Sequence, residues 1–314
     1  MVKKCYFQIV FSFYLFLCPP KSKQSMKKTF HILFLAGILP LAGILPVSAQ
    51  DTQSDHADLG LWTSIEGSTK LTPGIGLSIE AEYRLRDNIS TSDRASLGAS
   101  FSFKNKALVP WLKADLGYNF IYKNNPAETG IKYELDGTTP KHMNVDDAYW
   151  GAKHRATASL SGSWKAGRFK IGLRERYQYT YTAAATCDRT RWYYNPFYEF
   201  FPDEVEEWYL NDDPSDPDYS YFVDDKKPKS DHKLRSRFDV AYNIKHCKFE
   251  PFAEMEMYND IDNRFAIDKI RWTIGTDYKF SKTAKLSLYY RFQDHSDEDE
   301  VGGHVIGVGY SFDF

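Results

Sequence analysis

The sequence predicts an all-β fold: an antiparallel transmembrane β-barrel of about ten to twelve strands, with short periplasmic turns and long extracellular loops. Three observations carry this prediction. From residue 59 onward the dominant hydrophobic period is two, short and long connections alternate, and the chain ends on an alternating aromatic segment closed by Phe314. Mean hydropathy is only -0.51, as expected where every second residue of a strand is apolar.

Alternation is plainest in residues 75–86, where odd positions are apolar and even positions are small or charged. Successive side chains of a strand point to opposite faces, so one face is apolar and the other charged. Similar segments are 95–104, 112–122, 155–165, 168–182, 234–244, 248–258, 268–280, 284–293 and 303–314, with a weaker one at 59–66. Their number, eleven, is unusual because bacterial single-chain barrels have an even number. Either the first segment is not a full strand or one further strand exists.

The connections between these segments differ in length. Short ones lie near 67–73, 104–107, 166–167, 246–247 and 281–283, and longer ones lie near 87–92, 123–150, 183–230, 259–267 and 294–302. Short turns at one end and long loops at the other are typical of outer-membrane barrels. We therefore expect the short side to face the periplasm and the long side to face the cell exterior.

The amino terminus is typical of an export signal. Lys27 and Lys28 follow Met26, an apolar run extends from Phe30 to Val47, and small residues end it. This predicts a signal peptide at 26–49 and a mature barrel at 50–314, with an uncleaved anchor as the alternative. Residues 1–25 hold a second basic and apolar segment, which we interpret as an upstream extension before the natural start at Met26. The predicted localisation is the bacterial outer membrane.

Charge and cysteine content exclude other classes of protein. Forty-two acidic and 40 basic residues give a net charge of -2, so no bulk attraction to nucleic acid is expected. Only Cys187 and Cys247 follow the signal peptide. The strand assignment separates them by the height of the apolar band, about 25 Å, whereas disulfide-bonded Cα atoms lie within about 7 Å. We expect no intramolecular disulfide, and no cofactor.

The last strand holds the most specific signal. Tyr310, Phe312 and Phe314 alternate with Ser311 and Asp313. An aromatic terminal residue with aromatic residues at every second position before it resembles the C-terminal signal that is read by the machinery for outer-membrane barrel assembly. This machinery and outer-membrane lipid are therefore the expected partners.

Several strand segments resemble a family of outer-membrane barrels known only as domain of unknown function two-four-nine-zero. The resemblance covers most of residues 59–314. It is carried by Leu61-Trp62, the face of Glu80, Glu82 and Arg84, Arg174-Glu175-Arg176-Tyr177, Pro251-Phe252-Ala253-Glu254 with Tyr258-Asn259, Arg271-Trp272-Thr273-Ile274-Gly275 and Leu288-Tyr289-Tyr290-Arg291-Phe292. The resemblance implies fold and location, and it implies no activity and no catalytic residue.

Charged residues at inward-facing positions form the first candidate site. Arginine pairs with carboxylates through two parallel hydrogen bonds, and a barrel of this size is only modestly wider than one that side chains fill. We predict a lumen largely closed by ion pairs, with a narrow charged pore as the alternative. The predicted network comprises Glu80, Glu82, Arg84, Arg86, Arg174, Arg176, Arg235, Arg237, Glu254, Glu256, Arg271 and Arg291.

The connection at 183–230 forms the second candidate site, because it is unusually rich in aromatic and acidic residues. We favour a lid that packs on itself, since long ordered loops often do so. The alternative is a surface recognition site for an extracellular glycan or protein. Its recognising rings would be Trp192, Tyr193, Tyr194 and Trp208.

Catalytic and metal sites have little support in the sequence. The one compact Ser-His-acid set, Asp294-His295-Ser296, lies in an acidic turn, whereas a catalytic triad brings distant residues together. No metal-ligand spacing surrounds His142, His154, His232 or His304. We therefore predict a non-enzymatic structural or surface-binding barrel. A narrow channel for small solutes is the alternative, and a lipid-modifying barrel enzyme is the third hypothesis.

Overall fold

A computed structural model of the chain describes residues 58–104, 109–135, 137, 140–193, 219–295 and 303–314. The upstream extension, the signal peptide, residues 50–57 and the segment 194–218 lie outside these ranges, so the domain boundaries stay predictions. Every regular element of the described ranges is a β-strand. A helix long and apolar enough to span a membrane is not found among the described residues.

Fifteen strands are described, and eleven of them close into a barrel. The barrel order is β1-β15-β14-β13-β12-β11-β8-β7-β4-β3-β2, and the other four strands form a sheet in the order β10-β9-β6-β5. The predicted barrel fold is confirmed. The strands are β1 (Asp58–Thr72), β2 (Ile75–Arg86), β3 (Thr91–Phe103), β4 (Leu112–Asn125), β5 (Glu128–Tyr133), β6 (Pro140–Asp146), β7 (Tyr149–Ala166), β8 (Phe169–Thr182), β9 (Ala185–Tyr193), β10 (Tyr219–Lys226), β11 (Lys229–Tyr242), β12 (Phe249–Asp260), β13 (Ala266–Lys279), β14 (Ala284–His295) and β15 (Gly303–Asp313).

The odd number of barrel strands determines how the barrel closes. Neighbouring strands from β2 to β15 around the barrel, and β1 with β2, are all antiparallel. Because the number of strands is odd, the first and last strands run in the same direction, and β1 pairs with β15 in parallel. Asp58 lies opposite Gly303, and Ser68 lies opposite Asp313. Both alternatives that the sequence left open are wrong. The first segment is a full strand of 15 residues, and the described residues contain no twelfth barrel strand.

Alternation along the strands places apolar side chains outside and polar ones inside. On β2, for example, Ile79 is 49% exposed on the outer face whereas Arg84 is 8% exposed on the inner face. Aromatic pairs lie near both rims of the outer face. Trp111 stacks on Trp164 near the short turns, and Tyr122 stacks on Trp150 near the long connections. An outward apolar band between two aromatic girdles is typical of outer-membrane barrels.

Two of the short turns require glycine. Gly74, between β1 and β2, has a φ of 99°, and a Cβ there would lie 2.8 Å from the carbonyl oxygen of Lys104. Gly167, between β7 and β8, has a φ of 63°. Glycine adopts such angles without the steric cost that other residues meet, so these positions fix the tight reversals at this rim.

Four barrel strands continue beyond the opposite rim as a second sheet, here called the sheet extension. Its strands β5, β6, β9 and β10 are separated from β4, β7, β8 and β11 by only two residues each, and they keep the same order. The prediction of loops at 123–150 and 183–230 is therefore wrong for most of their described residues. Each connection supplies strands that pair with those of its neighbour, and a pattern within one segment does not reveal such a partner.

Candidate functional site

All twelve residues of the predicted charge network lie at inward-facing positions of the barrel. All except Glu80 are buried or half-buried. They come from six of the eleven barrel strands. Glu80, Glu82, Arg84 and Arg86 are on β2, Arg174 and Arg176 on β8, Arg235 and Arg237 on β11, Glu254 and Glu256 on β12, Arg271 on β13 and Arg291 on β14.

Glu256 is the centre of the most buried part of this network, with 4% of its surface exposed. Its carboxylate accepts hydrogen bonds from Arg174 at 2.8 Å, from Arg235 at 3.0 Å and from the Tyr258 hydroxyl at 3.0 Å. Nη1 of Arg271 lies 3.9 Å from its Oε2. A buried carboxylate is tolerated when charged partners and hydrogen bonds surround it. This one therefore joins side chains from β8, β11, β12 and β13.

Trp62, on β1, holds the other half of the network. The guanidinium carbons of Arg84, Arg291 and Arg271 lie 3.5, 4.9 and 5.2 Å from its ring centre. Cations at such distances are attracted to the face of an indole ring. Since Arg271 also contacts Glu256, side chains in contact extend from β8 to β1. These strands lie on opposite sides of the barrel in the strand order, so the network crosses the lumen.

Glu254 forms a second layer beside this crossing. Arg291 donates to its Oε1 at 3.0 Å, and Nη1 of Arg237 lies 3.5 Å from its Oε2. Arg291 also donates from Nε to the Thr273 hydroxyl at 2.9 Å. Because Arg291 also contacts Trp62, the two layers share a side chain. The lumen is thus occupied by contacting side chains at this level.

An excess of positive charge lies on the wall formed by β8 and β11. Arg176 lies directly opposite Arg235, and Arg174 lies opposite Arg237. Like charges directly opposite one another on neighbouring strands are destabilising. Within the described residues Arg176 has no ion pair, and its Nε is buried without a hydrogen-bond partner. This group of four arginines, the arginine quartet, is the part of the lumen best suited to attract an anion.

A second cluster of charges lies in the sheet extension. Arg189 donates to Asp146 at 2.7 Å and lies 2.8 Å from Asp224, and Lys226 pairs with Asp146 as well. The Arg189 hydrogen bonds hold the pKa of Asp146 below its ordinary value. Ligand atoms of Asp146, Cys187 and Asp224 lie within 4.8 Å of one another. Both carboxylates already pair with cations, so the arrangement is an ion-pair cluster and is poorly suited to a metal.

Cys187 lies beside this cluster as a buried free thiol. Cys187 therefore forms no disulfide with Cys247. Burial raises the pKa of the Cys187 thiol, which keeps it protonated at neutral pH and poorly nucleophilic.

The depressed pKa of Asp146 makes the sheet extension sensitive to acid. A carboxyl group whose pKa is lowered by folding stabilises the fold above its unfolded value, about 3.9, and loses that effect as the pH falls through the folded value. We expect the hydrogen-exchange protection of β6 and β9, corrected for intrinsic rates, to be constant near neutral pH and to fall below about pH 4. Asp146→Asn should remove this transition. A transition that survives unchanged in Asp146→Asn would contradict the assignment.

The predicted recognition rings have different positions. Trp192 lies opposite Met143 on the neighbouring strand, and both are buried. Its ring is therefore covered, and its role in surface recognition, the alternative to a self-packed lid, stays a prediction. Tyr193 ends β9, whereas Tyr194 and Trp208 lie outside the described residues, as do Ser296 and most of the predicted aromatic lid.

The terminal aromatic residues lie on the outer face of the barrel. The ring centres of Tyr310 and Phe312 are 6.0 Å apart, and those of Phe312 and Phe314 are 5.8 Å apart. The backbone amide of Phe314 donates to the carbonyl of Ser68 at 2.9 Å. The last residue is thus tied to β1, while its ring is 73% exposed and accessible to a partner.

The family model for a protein of unknown function (DUF2490) matches residues 59–301. The chain belongs to this family. No curated protein matches the sequence. Among solved structures, the β domain of the Bordetella autotransporter BrkA is similar, with 9% identity, a TM-score of 0.41 and coverage of 76% of this chain and 79% of that one. The anion-selective porin from Comamonas acidovorans shares 9% identity with a TM-score of 0.20, over 78% and 83% of the two chains.

Membership of the DUF2490 family accounts for the segments that resembled it. Arg174, Glu254, Arg271 and Arg291 belong to those segments and also to the network that crosses the lumen. Sequence reasoning missed Trp62 and Tyr258 as members of this network. The alternation of their strands could have shown that both rings point inward. Their contacts with cations could not be predicted in this way, because those cations come from other strands.

Proposed function

We propose that this DUF2490 protein is a non-enzymatic barrel of the bacterial outer membrane, with a closed lumen and a surface-binding sheet extension. The observation that carries the proposal is the network from Arg174 through Glu256 and Arg271 to Trp62. A barrel closed in this way has no wide path for solutes. Its contacts with the surroundings are then its lipid-facing wall and the sheet extension.

The predicted signal peptide and the outward apolar band support the outer-membrane location. In that membrane the short turns face the periplasm and the sheet extension stands outside the cell. Its charged cluster and exposed β5 strand offer polar groups to a glycan or protein ligand. β10 adds Tyr221 and Val223, each 60% exposed, and β5 and β10 are the edges of the sheet. Sheet edges are able to accept an extended segment of another chain.

Planar-bilayer conductance of the purified mature chain tests the closed lumen. We expect no stable unitary current from the wild type, because the crossing network occupies the lumen. Glu256→Ala should produce intermittent currents, since it removes the carboxylate that holds three arginines together. The control is Glu80→Ala, which removes an exposed lumen carboxylate that is not part of the network from Arg174 to Trp62. This variant should give no unitary current. Steady wild-type currents would refute the closed lumen.

A narrow anion channel is the second candidate function, and the arginine quartet favours it. In that case the wild type would conduct, the reversal potential in a salt gradient would indicate anion selectivity, and Arg176→Ala would reduce that selectivity. A lipid-modifying activity is the third hypothesis. Lipid hydrolysis that is lost in His295→Ala would establish it and would overturn the non-enzymatic assignment.

A further inference from the structure

A single carboxylate lies at mid-height on the outer wall of the barrel. β8 places Arg174 and Arg176 inside, so Glu175 between them points outward, where it is exposed. Its neighbours on the same face are Leu173 and Tyr177, which are 50% and 41% exposed. Glu175 stands six residues after the start of β8 and seven before its end. It therefore lies near the middle of the apolar band.

No other charged side chain shares this position in the described part of the barrel. Outward-facing positions of the described barrel strands hold one further Asp, Glu, Lys or Arg, which is Asp294, and it is the next-to-last residue of β14. In the membrane position proposed above, a carboxylate at this depth is costly. Ionisable groups in such places usually mark a functional contact.

Glu175 has a hydrogen-bond donor beside it. Ser236, directly opposite on β11, donates its hydroxyl proton to Oε2 of Glu175 at 2.7 Å. On the other side, Leu160 of β7 lies opposite Glu175. The surface around the pair is apolar, and exposed Ala158 on β7 leaves room for close approach. The patch thus consists of one hydrogen-bond acceptor, Glu175, and one donor, Ser236, side by side within an apolar outer surface.

This pair is complementary to itself. Consider two copies of the barrel related by a two-fold axis along the membrane normal, which runs between the copies at the Glu175–Ser236 pair. This axis keeps every residue at the same depth in the membrane and reverses the left-to-right order of the pair in the second copy. Glu175 of each copy then faces Ser236 of the other. The described outer wall has no Lys or Arg at this height, so a second copy supplies no ion pair and the carboxyl group must be neutral. Its proton can then be donated to the Ser236 hydroxyl of the second copy.

We propose that a second copy of this chain docks on this patch, through a closed ring of four hydrogen bonds. Each Glu175 takes up one proton and donates it to Ser236 of the other copy, while each Ser236 donates to the Glu175 of its own chain. Lipid gives no hydrophobic drive for association, so polar contacts and packing decide whether two barrels associate. The inference rests on the proposed membrane location.

Protonation makes this dimer dependent on pH. Apart from Tyr242, at the short-turn end of β11, the titratable groups on the outward faces of the three strands concerned lie nearer the rim of the long connections than Glu175. They are His154 on β7, Tyr177, Tyr179 and Tyr181 on β8, and His232 on β11. None of these is a fixed cation that would hold Glu175 ionised. Acid should therefore favour the dimer.

Single-molecule photobleaching of labelled mature chain in phosphatidylcholine vesicles tests the proposal at about pH 5 and about pH 8. We expect the wild-type dimer to dissociate about tenfold more readily at the higher pH. Glu175→Gln, whose amide both donates and accepts, should dimerise equally at both. Glu175→Leu should be mostly monomeric. An apolar residue suits the lipid face, so this variant is expected to fold, and heat-modified migration in gels checks it.

Thr63→Val is the matched control, because it removes an outward hydroxyl from β1 without touching the patch. It should dimerise as the wild type does. A wild type that is monomeric in vesicles at both pH values overturns the dimer, and so does an unchanged dimer in Glu175→Leu. A mature chain that stays soluble without detergent refutes the proposed membrane location instead, so the two failures are distinguishable.

Discussion

Alanine in place of Glu256 is expected to lower the free energy of unfolding by about 3–5 kcal/mol, the usual effect of removing one partner from a buried ion pair. Arg174 and Arg235 would each lose a charged partner, and Arg271 would lose a nearby carboxylate. Three cations would then share a poorly solvated space with no negative charge to separate them. Guanidinium-induced unfolding in detergent micelles, followed by tryptophan fluorescence, measures the loss.

Glu80→Ala is the matched control for this experiment. Glu80 is also an inward-facing glutamate, but it is exposed and has no ion pair among the described residues. Its substitution should change the free energy of unfolding by less than about 0.5 kcal/mol. Glu256→Gln should fall between the two alanine variants, because an amide oxygen still accepts hydrogen bonds. Equal effects of the two alanine substitutions would mean that Glu256 does not hold the lumen together.

The strands and their faces were predictable because a period of two is a local property. Residues 75–86 alternate clearly enough to place Arg84 inside, and the same rule places Glu175 outside, on the face opposite the inner arginines. The sequence therefore already contained the outward carboxylate at mid-height. Its partner Ser236 becomes visible only when the register between β8 and β11 is known.

Contacts across the lumen were not predictable in the same way. Trp62 meets Arg84 on the adjacent strand, but its contacts with Arg271 and Arg291 depend on how β1 closes the barrel against β15. The sheet extension was missed for a similar reason. The strands β6 and β9 belong to two different connections and pair with each other, so neither connection by itself indicates a sheet.

Gly307→Ala is expected to destabilise the barrel by about 1–3 kcal/mol, the usual cost of adding a methyl group to a filled space. Gly307 lies opposite Tyr289 on the strand pair that precedes the closure. A Cβ at Gly307 would lie 1.9 Å from Cζ of Tyr289, so the ring lies flat over the glycine. The added methyl group must displace that ring, whose centre lies 5.0 Å from the guanidinium carbon of Arg291. Thermal and guanidinium unfolding in micelles measure the effect.

Gly309→Ala on the same strand is the control. Its Cβ would lie 3.2 Å from the Ser64 hydroxyl oxygen, a small and movable group, so we expect a change of less than about 0.5 kcal/mol. A double-mutant cycle with Tyr289→Ala identifies the cause. If the ring is what the methyl group strikes, Gly307→Ala should cost much less once the ring is absent, with a coupling energy of about 1–2 kcal/mol. If the effects of Gly307→Ala and Tyr289→Ala were additive, the loss of stability in Gly307→Ala would arise from the backbone of β15. The packing of the Tyr289 ring on Gly307 would then have no role in closing the lumen.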